Sequence, residues 1–135
     1  MLYRTSRSPA ILLVSSLAAV IPAPTRSLYA STKSASLLLY QSLAIEHPKI
    51  SFSLVIPSTV EGGFRASAVD GGPIRESNPN KTGLKTLAVA QRCIHAVDAK
   101  EKTVFMPRYM RVAHILYWLC PRFIEWRARV KYHYQ

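Results

Sequence analysis

Acidic residues are scarce in this chain. Seven Asp and Glu stand against eighteen Lys and Arg over 135 residues, a formal net charge of +11. A balance of one sign suits an anionic partner: nucleic acid, an acidic membrane surface or a phosphorylated ligand. Cysteine is limited to Cys93 and Cys120 with no C-x-x-C pairing, so neither a disulfide framework nor a zinc site is indicated and a reduced compartment suits them. Glycine is sparse too, five against nine prolines, and never falls into a G-x-G-x-x-G turn able to cradle phosphate. The prolines follow no period, which removes collagen-like and repeat architectures. What remains is a chain of one modest domain, or a piece of a larger one, whose 49% hydrophobic and 19% charged content is too apolar for disorder.

Near the N-terminus, Arg4 and Arg7 precede the apolar run from Pro9 to Val14, extended by Leu17 to Ile21 as far as Pro22-Ala-Pro24. Two readings of that stretch stand: a secretory-type signal, or a buried strand over Ala10 to Val14 followed by a loop at Ser15-Ser16. It is too short and too broken by Ser and Pro to span a membrane. Ser27 to Glu46 reads as a helix, with Leu28, Ala35, Leu39 and Leu43 near helical spacing, and His47-Pro48 stops it. Ile50 to Ile56 reads as a second buried strand ending at Pro57. From Pro57 to about Lys85 the chain is rich in Gly, Ser, Pro and Asn, a long loop of the kind that is functional or mobile. Leu84 to Val97 fits a helix with Leu87, Ala90, Ile94 and Val97 as its apolar stripe. Thr103 to Met106 fits a short third strand, and the chain from Tyr109 onward is helical, aromatic and basic. Strand, helix, strand, helix, strand is α/β grammar and predicts a parallel sheet with right-handed crossovers.

Chemistry concentrates at the start of the first helix. Tyr29 and Lys33 lie one turn apart and share a face. A phenol titrates near pH 10, and an ammonium one turn away stabilises the phenolate and makes the group a usable acid or base. Ser15 and Ser16 end the preceding strand, where parallel sheets place ligands, and a hydroxyl there can hold a carbonyl oxygen. By itself a Tyr-x-x-x-Lys spacing also fits a plain surface helix, with Tyr29 half-packed and Lys33 solvated.

Ile11-Leu-Leu-Val-Ser-Ser16, Tyr29-Ala-Ser-Thr-Lys33 and Leu54-Val-Ile-Pro-Ser-Thr-Val60, taken in that order, resemble the short-chain dehydrogenases/reductases. The resemblance implies a Rossmann-type doubly wound parallel sheet and NAD- or NADP-dependent hydride transfer on a small lipophilic carbonyl or alcohol. It assigns catalysis to Ser16, Tyr29 and Lys33. Tyr29 would exchange a proton with the substrate oxygen, Ser16 would orient that oxygen, and Lys33 would bind the nicotinamide ribose. Cofactor contacts would come from Tyr29, Lys33, Pro57, Ser58, Thr59 and Val60. The N-terminal apolar run itself matches the family's fifth strand, which takes most of the weight from the signal-like reading. The tail from Lys102 through Arg127 is similar to the membrane-associated branch near the 11-beta-hydroxysteroid dehydrogenases, of the dehydrogenase/reductase family member 7 type.

Departures from the pattern shape the expectations further. Family members run to about twice this length and carry a glycine-rich dinucleotide turn in their first half. The family's Pro-Gly is Pro57-Ser58 here, and its later Thr is replaced at Gly62 or Gly63. The chain thus looks like the C-terminal half of a reductase: residues 1–106 as a partial Rossmann-like domain and 107–135 as an amphipathic helical tail. Such a half would expose a sheet edge at Ala10 to Val14 that invites another copy to pair, hence a homo-oligomer. The rival expectation is a truncated, catalytically silent remnant on a membrane. In the tail, six basic residues from Arg108 to Lys131 interleave with Tyr109, Trp118, Phe123 and Trp126, opposed only by Glu125. That suits a helix pair on anionic lipid, by resemblance at the endoplasmic reticulum, or else a solvated basic face in the cytoplasm. No nucleic-acid signature accompanies the charge. His47, His95, His114 and His133 lack metal-ligand spacing. Asn80-Lys-Thr82 fits the glycosylation triplet.

Overall fold

A computed structural model describes residues 6–63 and 83–132. Strands β1 (Ala10–Val14), β2 (Ser51–Pro57) and β3 (Thr103–Met106) form one parallel sheet in the order β1-β2-β3. Helix α1 (Ser27–Glu46) joins β1 to β2, and α2 (Thr86–Asp98) lies between β2 and β3. Two further helices, α3 (Met110–Leu119) and α4 (Pro121–Tyr132), follow the last strand. The α/β class and the parallel sheet are as the sequence predicts, and they match part of a Rossmann-like doubly wound fold. The triplet Asn80-Lys81-Thr82 and most of the loop after Pro57 lie outside the described residues.

Central strands are buried on both faces, and β2 behaves so from Phe52 to Pro57. Alternation sends Leu54 and Ile56 one way and Ser53 and Val55 the other. On the first face Leu54, Ile56 and Phe105 pack with Leu37 of α1, and Tyr40 and Met110 close around them. On the second face Val55 and Val104 meet Val89, Cys93 and Ala96 of α2. Burial pushes the Cys93 thiol up from its ordinary range, consistent with a core residue rather than a reactive one.

Three packing expectations need correction. The face of α1 on the sheet centres on buried Leu37, while Leu28, Ala35 and Leu39 point away from it. On α2 the sheet takes Val89, Cys93 and Ala96, whereas Leu87, Ala90 and Ile94 are exposed and only Val97 of the expected stripe is half-buried. The reason is a close approach. Ser53 Oγ donates to the Ala96 carbonyl at 3.1 Å across the buried interface, and only small side chains let a helix backbone come that near a sheet. Finally, β1 is not buried on both faces. It is an edge strand whose Leu12 and Val14 remain 38% and 43% exposed, because β2 flanks it on one side only.

The turn from α2 to β3 is closed by backbone. The Lys100 amide donates to Val97 O and the Glu101 amide to Ala96 O, the pair of bonds that ends a helix through a left-handed residue. Lys100 occupies that position at φ +53°. Arg92 clasps Glu101 through two bonds of 2.8 and 2.7 Å, which holds the Glu101 carboxyl below the usual carboxylate range, with His95 adding a weaker contact. A side chain in the left-handed region is strained where glycine is not. Lys100→Gly should therefore raise stability by about 0.5–1 kcal/mol, read as a higher urea midpoint at unchanged slope.

Candidate active site

Ser16 and Pro57 to Val60 follow the carboxyl ends of β1 and β2, and Lys33 reaches the first of those ends. In a parallel sheet those ends lie together, and the register sets Val14 beside Val55. The ladder runs one step further through the Ser15 amide, which donates to Val55 O at 2.8 Å. Ser15 itself is buried, and its hydroxyl has no hydrogen-bond partner among the described residues. Ser16 is half-buried in extended backbone and begins a short 3-10 turn (Leu17–Ala19). Its Oγ accepts from the Ala18 amide at 3.3 Å. Because that bond uses a lone pair, the hydroxyl proton of Ser16 can be donated to another oxygen.

The chain then returns through a turn in which Thr25 takes φ +61°, a conformation that costs a β-branched residue about 1–3 kcal/mol and marks a strained entry to α1. No side chain caps the first turn of α1, whose N-cap is Arg26. Tyr29 and Lys33 follow on one face, both half-buried, with Lys33 Nζ 6.0 Å from the centre of the Tyr29 ring. Lys33 Nζ also donates to the Val14 carbonyl at 3.2 Å. This bond fastens the first turns of α1 to the end of β1, two residues before Ser16. Ser34 Oγ makes a second tie, donating to Ala19 O at 2.8 Å. The phenol, the ammonium and the serine turn are thereby brought to one corner of the sheet.

Pro57, Ser58, Thr59 and Val60 continue from the end of the neighbouring strand. Pro57 pairs with Met106, and the Ser58 amide donates to Met106 O at 2.7 Å. Thr59 O accepts from the Leu84 amide at 2.8 Å, and the Glu61 amide donates to Leu84 O at 3.0 Å, with Val60 bridged to Leu84 in parallel. The Glu61 carboxylate completes this neck. It accepts from Lys85 Nζ at 2.9 Å and from the Thr86 amide at 3.0 Å, at the start of α2. Lys85 first, then Thr86, hold the Glu61 carboxyl below its ordinary range. Sequence reading gave Glu61 no role, since its partners lie 24 and 25 residues away and no local capping pattern announces them.

Two open clefts flank these elements. One of about 280 Å³ runs between the 3-10 turn and α1, lined by Val20, Ala30, Ser34 and Tyr117 among others; Ser16, Tyr29 and Lys33 do not line it. A larger one, of about 650 Å³, sits at the opposite end of β1 against Arg7, Glu46 and Lys49. Among the described residues no three His, Cys, Asp or Glu side chains gather as a metal site.

The donor set fits one end of a dinucleotide. An ammonium has three donors and Val14 O uses one, which suits Lys33 to ribose hydroxyls. For a diphosphate the described residues offer no glycine turn opening a helix, the element that presents several amide donors together. The residues thus fit the nicotinamide end and not the phosphate end.

No family profile matches this chain. It is similar to the 11-beta-hydroxysteroid dehydrogenase A of Arachis hypogaea, 23% identical over 132 residues, covering 90% of this chain and 38% of the relative. Similar too are the 11-beta-hydroxysteroid dehydrogenases 1A and 1B of Arabidopsis thaliana, each 26% identical over 132 residues with the same coverage. The chain spans 38% of the length of these relatives, and their names agree with the oxidoreductase resemblance drawn from Ser16, Tyr29 and Lys33.

Proposed function

We propose that the chain is the catalytic half of a short-chain dehydrogenase/reductase-type oxidoreductase acting on carbonyl and alcohol groups. The observation that supports this reading is the Lys33–Val14 bond, which ties Lys33 to the end of β1 two residues before Ser16, with the Tyr29 ring 6.0 Å from the same ammonium. A bound NAD(P)H would supply the hydride to the carbonyl carbon. Tyr29 gives its phenolic proton to the carbonyl oxygen, and Ser16 donates a hydrogen bond to that oxygen. Lys33 offers its remaining donors to the ribose. Pro57 to Val60 form the wall on the β2 side. The relatives' names suggest a steroid-sized lipophilic substrate, and the tail's likeness suggests the endoplasmic reticulum as the location.

A second reading, a silent protein that keeps the site's scaffold, draws support from the described residues, which present no glycine turn for a diphosphate. The two separate in one assay. Carbonyl-dependent oxidation of NADPH or NADH by the purified chain, saturating only at high cofactor concentration, is the expected result. No carbonyl-dependent oxidation with either cofactor, from a chain shown to be folded by circular dichroism, supports the silent reading instead.

A further inference from the structure

Strand β1 ends the sheet, and its outer edge is open. In a parallel pair, alternate residues turn both backbone groups to the neighbour. The Ser15 amide and the Pro9 carbonyl both bond to β2. Ala10, Leu12 and Val14 therefore turn their amides and carbonyls outward. Among the described residues only Lys33 Nζ meets that row, at Val14 O. Protein edges of this kind are blocked by a lysine, a proline or a bulge within the strand. Ala10–Val14 contains none of them and keeps an unbroken register with β2.

The surface above this edge is apolar and equally open. Leu12 and Val14 pair with Ser53 and Val55, so their side chains stand on the α2 side of the sheet. Helix α2 also touches β1 and presents a second apolar set beside it. One flank of α2 is spoken for, since Arg92 and His95 reach Glu101 at the foot of β3. At about 100° per residue, Leu87, Ala90 and Ile94 fall on the other flank, towards β1. Leu87 and Ile94 are 69% and 63% exposed. Together with Leu12 and Val14 they bound one apolar trough that no described residue fills.

We propose that this edge and trough join a second copy of the chain through a two-fold axis at Leu12. Antiparallel pairing about that axis sets Leu12 against the partner's Leu12, and Ala10 against the partner's Val14. Each such pair faces with complementary amide and carbonyl. Val14 O has a second lone pair for the partner's Ala10 amide, so the Lys33 bond survives. Leu12 and Val14 of both copies then share one face. Each α2 runs antiparallel to its mate, with ends of opposite partial charge side by side. Charge chooses this surface. A chain of +11 repels its own copy least where bases are missing, and none of its eighteen Lys and Arg lies in Ala10–Val14 or at Leu87, Ala90 or Ile94. The exposed apolar residues of α3 and α4 stand among arginines, and a two-fold contact there would set those bases against themselves. An unrelated strand would fill the edge and leave the trough open; a copy fills both.

Light scattering on the purified chain should give twice the 15.1 kDa of one copy, and dilution should dissociate it. Added salt should tighten the dimer, because it screens the residual repulsion between +11 chains. The double variant Leu12→Lys/Ile94→Lys should weaken dimerisation about tenfold or more with an unchanged far-ultraviolet spectrum. In a Cys120→Ser background, Leu12→Cys should oxidise to a linked dimer, since antiparallel residues that share hydrogen bonds stand about 5.5 Å apart at Cα. Leu39→Cys, on the outer side of α1, should stay unlinked. A chain that remains monomeric at about 0.1 mM overturns the proposal. So does a dimer indifferent to Leu12→Lys/Ile94→Lys, or equal linking through Leu39→Cys, either of which means another surface. None of these readouts needs cofactor or turnover.

Discussion

Tyr29→Phe should lower kcat/KM for carbonyl reduction by about 10²- to 10⁴-fold, the range lost when a positioned proton donor is removed. The substitution deletes one oxygen and keeps the ring, so the half-buried position beside Lys33 is still filled. Cofactor affinity should change less than turnover, because Tyr29 shares the cofactor contacts with Lys33 and Pro57 to Val60. Lys33→Met should show the complementary pattern: weaker cofactor binding as well as slower turnover, together with looser attachment of α1, since the bond to Val14 O is lost too. Steady-state kinetics and cofactor titration on the two variants separate the roles. A Tyr29→Phe protein with undiminished turnover rejects the phenol as proton donor, whatever the fate of the lysine.

Leu54→Ala should cost about 2–5 kcal/mol, a large fraction of the roughly 5–15 kcal/mol that holds a domain folded. Leu54 lies at the centre of the sheet, 1% exposed, between Leu37 of α1 and Phe105 of β3. Few alternatives can fill the gap, because the sheet has three strands and β1 is already half open to solvent. Urea unfolding followed by circular dichroism is the measurement, and a loss under 1 kcal/mol would mean that α1 collapses onto the vacated space. The exposed Leu39→Ala, on the opposite side of α1, is the control and should be nearly neutral.

Much of this architecture was legible in the residues. The strand at Ala10–Val14, the helix Ser27–Glu46 and the strand Thr103–Met106 fall on their expected bounds, because Pro, His-Pro and Ser-rich breaks punctuate them. The order of elements then sufficed for a parallel sheet. Which side of each helix meets that sheet was not legible. Both α1 and α2 carry leucine or isoleucine on more than one side, so periodicity alone could not choose, and contacts distant in sequence chose instead. The Ser53–Ala96 bond spans 43 residues and sets the rotation of α2. The site divides the same way. Tyr29 and Lys33 could be paired from spacing, but the seat of Lys33 on Val14 O and the clamp of Glu61 on Thr86 join residues that no local pattern links.

The neck formed by Thr59, Val60 and Glu61 against Leu84, Lys85 and Thr86 has an evolutionary consequence. Both feet of the neck are pinned, so the stretch of sequence between them starts and ends on fixed backbone. Doubling its length would cost only about 0.6 kcal/mol in closure entropy. Descendants of this chain can therefore lengthen or shorten that stretch while inheriting the phenol, the ammonium and the strands beneath them untouched.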